Sequence, residues 1–509
     1  MFRKASESVE MDLFYNPSVM LGKRGQKIYE DPHSWHRQFY TQITSLVDEE
    51  IFRPMYNEYN MGTPNREVRV LVGMIALKEG VGCSDEHLFE RCTFDILYRH
   101  AIGLFQLDVD CPCAATYYNF RRHIGEYEAK FGINLYEECF KQITKKQVLR
   151  FKVNGKSIRM DSKLIGSNIA WYNRYQIVQT TFCKSFNKEE LANIPEQLLR
   201  EKALEVLDED SEKTVYRTTH EELEKKMLEL GILIHALLGM FDGRELLRRV
   251  FFEHFAVDEQ GNISIKPKDA VPAKSVQNPN DPDASFRKKA GTSVKGYTTN
   301  ITETHDQDDA PNLVVNVQVK DATVSDNKML QSGVEGAAEV TGQIAEKLYA
   351  DGAYQSDDNR AYTDGHQIDF VATGLQGKAP YYDFTIMDNG ELNAVDKETG
   401  EQLETHRTKT GWAYKASGKN GKMTWRYIQQ KAIDKMHALQ SYWEGIPPDE
   451  RRKRNNVEAT IFQYCFLARN NKTRYRGLFK QQMQAFARCL WMNMRRIMLF
   501  QIEKSVRIV

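Results

Sequence analysis

The sequence predicts an α/β chain built on one mixed β-sheet, with a helical N-terminal region and two insertions. Three observations carry that reading. Apolar residues recur at helical spacing up to about residue 146 and at strand-like spacing soon after. Two polar stretches, residues 171–285 and 375–445, interrupt the pattern without continuing it. With those stretches set aside, three strands come first, followed by helix, strand, helix, strand and helix.

Residues 34–145 read as helices. Val68, Leu71, Val72, Ile75 and Ala76 share one helical face, Ser84 can cap a second helix, and Tyr117, Phe120 and Ile124 mark another. Leu149, Phe151 and Val153 alternate, and Ile158 and Met160 follow, which predicts a hairpin turning at Asn154-Gly155. A long helical stretch is expected from Trp171 to Phe255, then a loop from Pro267 to Pro282. Strands are expected at Ser293–Glu303 and Leu313–Val319, joined by a polar turn. Ser325 begins a helix, Lys347 to Ala350 form a short buried strand, and Ser356–Thr363 and Ile368–Thr373 supply a further helix and strand. Residues 375–445, with the turn sequence Asp388-Asn389-Gly390, read as β-rich, and the chain is helical from Pro448 onward apart from a turn near Gly477. Three antiparallel strands followed by parallel strands alternating with helices is the order of a ribonuclease-H-like sheet.

The 509 residues are enough for several domains and a sizeable core. Lys plus Arg and Asp plus Glu both number 70, so the chain is neutral as a whole. That excludes a globally basic coat protein but not a local basic surface. From Arg451 to Val509 there are fourteen basic residues against Glu458 and Glu503, which makes this tail a candidate polyanion-binding surface. Eight scattered cysteines indicate a reducing compartment, and no apolar run approaches the length needed to span a bilayer. A cytoplasmic location is expected. Cys111-Pro112-Cys113 lacks a second pair, and 375–445 contains no cysteine, so a cysteine-ligated zinc site there is excluded.

Three acids occupy telling places. Asp161 is expected to end the first long strand, in Ile158-Arg159-Met160-Asp161. Asp351 ends the fourth, in Tyr349-Ala350-Asp351-Gly352-Ala353-Tyr354. Glu458 lies on a late helix, in Arg454-Asn455-Asn456-Val457-Glu458. Carboxylates gathered from adjacent strands and a crossing helix suit phosphodiester chemistry, in which two divalent cations activate the attacking oxygen and stabilise the leaving one. Each acid taken alone is an ordinary turn, cap or ion-pair residue; their order gives the pattern its meaning.

These residues resemble bacterial insertion-sequence transposases with a DDE catalytic domain, in particular the insertion-sequence group eleven eighty-two and more loosely the IS-four-like set. The resemblance rests on Gly82-Cys83-Ser84-Asp85, Tyr98-Arg99-His100-Ala101-Ile102-Gly103-Leu104 and Phe120-Arg121-Arg122 in the N-terminal part. It continues through Asp281-Pro282-Asp283-Ala284, Gly296-Tyr297 and Asp351-Gly352-Ala353-Tyr354, then Arg454 with Val457-Glu458 and Arg474-Tyr475-Arg476-Gly477-Leu478. It implies Asp161, Asp351 and Glu458 as catalytic acids that bind two Mg²⁺ or Mn²⁺ ions. It also implies residues 1–146 as a helical DNA-binding or dimerisation domain, and 147–170, 286–374 and 446–509 as the catalytic domain. Residues 171–285 would be a mainly helical insertion and 375–445 a β-rich one.

The expected partners are DNA, as transposon ends and target, and further copies of the chain in a homodimer or higher oligomer. Arg451, Arg454, Arg469, Lys472, Arg474, Arg476 and Lys480 are expected to contact DNA, with Trp412 and Trp425 as candidates for stacking on an unpaired base. In the related pattern Tyr-x2-Arg-x3-Glu-x6-Lys, Arg454 and Glu458 fit, whereas Arg451 and Cys465 stand at the Tyr and Lys positions. The expected reaction is therefore 3′-end cleavage and strand transfer, with a hairpin intermediate disfavoured but left open, since Arg451 and Arg469 could still grip phosphate. The alternatives from sequence are a catalytically silent DNA-binding or assembly protein of the same descent, and a nuclease of the same fold without strand transfer.

Overall fold

Among the described residues, seven α-helices precede the first strand: α1 (Lys23–Glu30), α2 (Trp35–Gln42), α3 (Val68–Val81), α4 (Asp85–Phe94), α5 (Ile96–Ile102), α6 (Ala114–Phe131) and α7 (Leu135–Phe151). The computed structural model describes residues 2, 4, 17–56, 65–289, 291–373, 382–417, 422–453 and 455–508. α3 is apolar and buried along nearly its whole length, as a helix enclosed by other elements must be. Gly82, at φ 79°, ends it by returning its N–H to the Lys78 carbonyl. Ser84 caps α4, accepting the His87 N–H at 3.2 Å.

The expected hairpin at Asn154-Gly155 is not formed. Asn134 caps α7 by accepting the N–H groups of Tyr136 and Glu137, and the helix continues to Phe151. Its buried face is Phe140, Ile143, Thr144, Gln147 and Val148, while Leu149 is exposed. The helical period won because it buries more than the local alternation of Leu149, Phe151 and Val153. Lys152, at φ 53°, ends the helix, and Asn154-Gly155 leads into β1 (Ser157–Gly166).

The first insertion follows. Its helices are α8 (Arg174–Ser185), α9 (Lys188–Ala192), α10 (Gln197–Asp208), α11 (Ser211–Arg217), α12 (His220–Leu238) and α13 (Glu245–His254). A small hairpin of β2 (Phe255–Val257) and β3 (Ile263–Ile265) closes it. This segment has a core of its own, in which Phe182, Leu191, Ile234, Phe251 and Phe255 are fully buried.

The main sheet then resumes with β4 (Ser285–Lys289), β5 (Thr292–Thr304) and β6 (Val314–Asp321), then α14 (Leu330–Thr341), β7 (Lys347–Asp351), α15 (Asp357–Gly365) and β8 (Asp369–Thr373). Ser356 caps α15, accepting the Asn359 N–H at 3.1 Å. The six strands run in the order β4-β5-β1-β7-β8, with β6 also on β5. β4 pairs with Thr292–Gly296 and β6 with Tyr297–Glu303, so they share one flank of β5 end to end, and β1 takes the other flank. β1 and β6 each run antiparallel to β5, and β7 and β8 are added parallel to β1. β4 was not expected; short, basic and at the sheet edge, Ser285-Phe286-Arg287-Lys288-Lys289 carries little strand signal.

The second insertion holds β9 (Tyr382–Ile386), β10 (Leu392–Asp396), β11 (Thr405–Arg407), β12 (Trp412–Ser417) and β13 (Met423–Ile428) around a core of Phe384, Leu392, Ala394, Trp412 and Ile433. Asp388-Asn389-Gly390 turns β9 into β10 as expected, with Gly390 at φ 80°. Gln430–Gly445 add a helix, α16, that the sequence reading of this β-rich segment did not include. Ile433 is buried and Met436 packs beside the same core, a helical spacing.

The chain ends with α17 (Pro448–Lys453), α18 (Asn455–Cys465) and the long α19 (Leu478–Ile508). α19 packs against α3, α7 and β6. Gly80 of α3 meets the Trp491 ring of α19 where a side chain would sit, so the two helices need glycine here to approach this closely. Buried residues of α2–α7, of β5 and β6, and of α18 and α19 form one continuous core; the N-terminal helices do not close on themselves. α14 covers the opposite sheet face with Leu330, Val334 and Ala337 against Met160, Val315 and Leu348. Among the described residues no helix is long and apolar enough to cross a membrane.

Candidate active site

Strand register brings the first two acids together. The parallel ladder pairs Ile158 with Leu348 and Arg159 with Tyr349. Carried two residues further, that register sets Asp161 level with Asp351, on adjacent strands about 4.8 Å apart and on the same sheet face. Asp351 ends β7, its Oδ1 accepting the Ala353 N–H at 3.2 Å as the chain turns away. Asp161 does not end its strand: β1 continues to Gly166, held by β5 on its other side. Asp161 Oδ1 accepts the Ser162 N–H at 2.8 Å.

α18 lies across β1 on this face. Val457, Thr460, Ile461 and Tyr464 are buried beneath it, so Glu458 and Phe462 fall on its open side. Asp161, Asp351 and Glu458 consequently line one cleft of about 670 Å³, together with Ser162, Lys163, Lys289, Phe462, Cys465 and Phe466. The cleft opens at the carboxyl end of β7, where β1 outruns its parallel neighbour, the usual place for a ligand in an open α/β sheet. The donor set is carboxylate oxygen, which suits a hard divalent cation. Among the described residues no three His, Cys, Asp or Glu side chains are drawn together tightly enough to make a ready metal-binding group.

Glu303 fixes the position of α18. It is completely buried on β5, opposite Arg159 of β1. Its carboxylate accepts from Arg159 Nε at 2.5 Å, from Thr460 Oγ1 of α18 at 2.7 Å and from Arg496 Nη1 of α19 at 2.7 Å. Burial pushes its carboxyl up, but Arg496 and Arg159 outweigh that and hold it below its usual range. A similar tie sets α17, where Glu450 accepts from the Tyr349 hydroxyl at 2.5 Å and from Lys347 Nζ at 3.2 Å. The Tyr349 hydrogen bond, with Lys453 and Lys347, lowers the Glu450 carboxyl to about 2.

The cleft continues into a groove of about 420 Å³ that shares Ser162, Lys163, Lys289 and Asn471 with it. Trp171, Lys295 and Lys472 form its far part. Lys295 is 9% exposed, and its Nζ stands 5.0 Å from the centre of the Trp171 ring. Burial lowers its amine below the usual range. Lys472 is set by a strand-like bridge to Gly166, with the Thr473 N–H donating to the Gly166 carbonyl at 2.9 Å.

The other expected contacts have mixed fates. Lys472, Arg474, Arg476 and Lys480 are all exposed on the segment between α18 and the first turns of α19. Arg474 Nη1 donates to the Cys83 carbonyl at 2.8 Å and Arg476 Nε to the Asn168 carbonyl at 2.7 Å, so both guanidinium groups are anchored on one edge. Arg454 lies outside the described residues, as do the side chains of Arg451 and Arg469. Trp412 is corrected: it is 6% exposed in the core of the second insertion, its Nε1 donating to the Gly390 carbonyl at 3.1 Å, so its ring is not offered to a base. Trp425, on β13, packs its edge against His406 at 4.4 Å. Neither tryptophan lines the cleft. Cys465 does, but burial pushes its thiol up to about 11, which leaves it uncharged at neutral pH.

Lys163, Lys289, Phe462 and Phe466 were missed from sequence. Lys163 follows Asp161 by two residues on a strand, and Phe462 and Phe466 follow Glu458 at four-residue steps, so three of the four had a readable signal. Lys289 had none, because β4 itself was not recognised.

No curated protein and no solved structure matches the chain. Residues 28–123, from the end of α1 to midway along α6, match the family model described as a transposase domain (DUF772), and the Gly82–Asp85, Tyr98–Leu104 and Phe120–Arg122 motifs all fall inside that match.

Proposed function

We propose that this chain is a DDE-type DNA transposase with a ribonuclease-H-like catalytic core, in which Asp161, Asp351 and Glu458 are the catalytic acids. The observation that carries this reading is their shared cleft: residues 190 and then 107 positions apart in sequence line one opening flanked by Lys163 and Lys289. The strand order supports the fold assignment, with β6-β5-β1 antiparallel and β7 and β8 added in parallel beyond β1. The transposase-domain match over residues 28–123 supports the reaction class.

Two Mg²⁺ or Mn²⁺ ions suit this oxygen donor set and would supply activation of the attacking oxygen and stabilisation of the leaving one. The protein's own part is positional and electrostatic. Two carboxylates stand on neighbouring strands, and the third stands on a helix locked by Glu303. Lys163 and Lys289 offset phosphate charge at the cleft mouth, and Lys472, Arg474, Arg476 and Lys480 extend a basic surface for the DNA backbone. The substrate would be the element's terminal inverted repeats and then target DNA. Handling two ends together calls for a dimer or larger assembly.

The test uses a labelled duplex taken from the DNA flanking the reading frame, incubated with protein and Mg²⁺ or Mn²⁺ and run on a denaturing gel. The expected products are a nick leaving a 3′ hydroxyl and, with added plasmid, a joined product, both abolished by EDTA. Binding without cleavage would replace the proposal with a silent DNA-binding protein. Cleavage without joining would replace it with a nuclease, and a snap-back strand of doubled length would overturn the hairpin-free route.

Binding carries its own expectation. Replacing Lys472 and Lys480 with Ala weakens binding to all sequences alike and lowers the slope of log K against log salt by about 0.9 per lost phosphate contact. An unchanged slope would move the DNA surface away from this segment.

A further inference from the structure

All eight cysteines are free thiols, and the fold sorts them into two kinds. Cys139, Cys183, Cys465 and Cys489 sit apart in their own packing, and burial pushes each thiol up, so all four stay protonated and unreactive at neutral pH. Cys111-Pro112-Cys113 is different. It joins α5 to α6 inside the transposase-domain match. Pro112 is buried, Cys111 packs half-buried against the main core, and Cys113 is exposed at the N-cap of α6. Cys92, completely buried on α4, belongs to the same core. Arg99 draws the two segments together. Its Nη1 donates to the Cys92 carbonyl at 3.3 Å, and its Nη2 to the Gln106 carbonyl at 2.5 Å and the Val109 carbonyl at 2.8 Å. One guanidinium therefore holds both the end of α4 and the chain two residues before Cys111. Across this junction the Cys92 thiol donates to the Cys111 sulfur, which pushes Cys92 up and holds Cys111 down; Arg99 and Arg66 add to the second effect. A thiolate-prone sulfur that is half open to solvent and touches a second thiol has the two parts that disulfide exchange needs, an attacking group and a resolving one.

We propose that Cys111 and Cys92 form a reversible thiol–disulfide site that is oxidised by low-molecular-weight disulfides. Cys111 gives up its proton and attacks one sulfur of the disulfide RSSR, forming Cys111–S–S–R and releasing RS⁻, which takes up a proton. Cys92 then loses its proton and attacks the Cys111 sulfur, forming the internal bond and releasing the second RS⁻, which is protonated in turn. Two protein thiols are oxidised and one RSSR is reduced to two RSH; excess thiol reverses both steps. The bond closes a loop around α5 and fastens α4 to the segment that leads into α6. Cys113 faces solvent, its Sγ 3.3 Å from the Thr116 hydroxyl, so it takes up R but not the internal bond. The site is separate from the cleft of the three acids and does not depend on the reaction assigned to that cleft.

The experiment incubates folded, full-length protein with oxidised glutathione, blocks the remaining thiols with N-ethylmaleimide in denaturant, and weighs the unreduced tryptic peptides by mass spectrometry. Trypsin separates Cys92, in residues 92–99, from Cys111 and Cys113, in residues 100–121. The expected product joins these two peptides with the loss of two hydrogens, and dithiothreitol removes it. Cys113→Ser forms the joined peptide as wild type does. Cys111→Ser loses it. Cys92→Ala also loses it and leaves Cys111 as a mixed disulfide with glutathione. Cys139, Cys183, Cys465 and Cys489 carry only the maleimide. A thermal melt checks that each variant is folded, and the wild-type measurement needs no substitution at all.

Folded wild-type protein that yields no joined peptide overturns the proposal. So does a joined peptide that survives Cys111→Ser, which would make Cys113 the partner of Cys92. A bond from Cys92 to the separate peptide that carries Cys83, or one closed between Cys111 and Cys113 alone, would overturn it in the same way.

Discussion

Asp161→Asn, Asp351→Asn and Glu458→Gln are each expected to lower DNA cleavage by on the order of 10²–10³-fold or more, the scale of losing one group that acts on charge in the transition state. Each substitution keeps the shape of the side chain and removes one negative charge from a cleft proposed to accept a phosphodiester. Binding is therefore expected to hold or tighten slightly, since repulsion between carboxylate and phosphate falls. The three acids line one cleft and are proposed to act as a unit, so a double variant should lose little more than either single one. Single-turnover cleavage and a filter-binding isotherm on the same labelled end separate the two quantities. Near wild-type cleavage by any one variant would remove that residue from the site. Losses that multiply in the double variant would show that the acids act independently.

Glu303→Ala is expected to lower stability by about 3–5 kcal/mol, the cost of leaving buried charge without its partner. Arg159 and Arg496 both depend on this carboxylate, and Thr460 loses the hydrogen bond that seats α18 on the sheet. Glu303→Gln should cost less, because it keeps a hydrogen-bond acceptor. The same residue sets an acid limit. Although burial disfavours its charge, Arg496 and Arg159 hold the folded carboxyl below its usual value. Its stabilisation is then fully present above the unfolded pKa of about 4.3 and is lost as pH falls through the lower, folded value. Urea denaturation across that acid range should show this component in the wild type and not in Glu303→Gln. An unchanged midpoint for Glu303→Ala at neutral pH would sink the argument. Cleavage offers a second readout: at a pH where Glu303→Gln is folded, it should still bind DNA but cleave more slowly, because Glu458 sits two residues before Thr460 on the same helix.

Local signals were enough for much of the main sheet and the helices beside it. Ser356 caps its helix, Gly477 turns the chain into the last helix, and the short run Lys347 to Ala350 is a strand that delivers Asp351 to its end. Each depends on residues a few positions apart, so each was legible without knowing the fold. Where two local patterns competed, tertiary burial chose between them. Leu149, Phe151 and Val153 alternate like a strand, yet Ile143, Gln147 and Val148 have a larger surface to bury as a helix. Nor could residue type alone say that Trp412 would fill a small core while Phe462 and Phe466 would stand open.

What the amino-acid sequence determined by itself was the α/β class, the strand and helix order from Ser293 to Thr373, and the identity of three acids worth watching. What only the tertiary structure decided was that those acids line one cleft. Asp161 and Asp351 are brought level by the register of a parallel ladder, and Glu458 is brought over them by a buried carboxylate on a third strand that grips its helix. Both are contacts between residues more than a hundred positions apart, and ladder register and side-chain burial leave no periodic trace in either partner's own segment. For the same reason the N-terminal helices read as a separate unit in sequence. Trp491, packed against Gly80 from the far end of the chain, joins them to the core of the sheet.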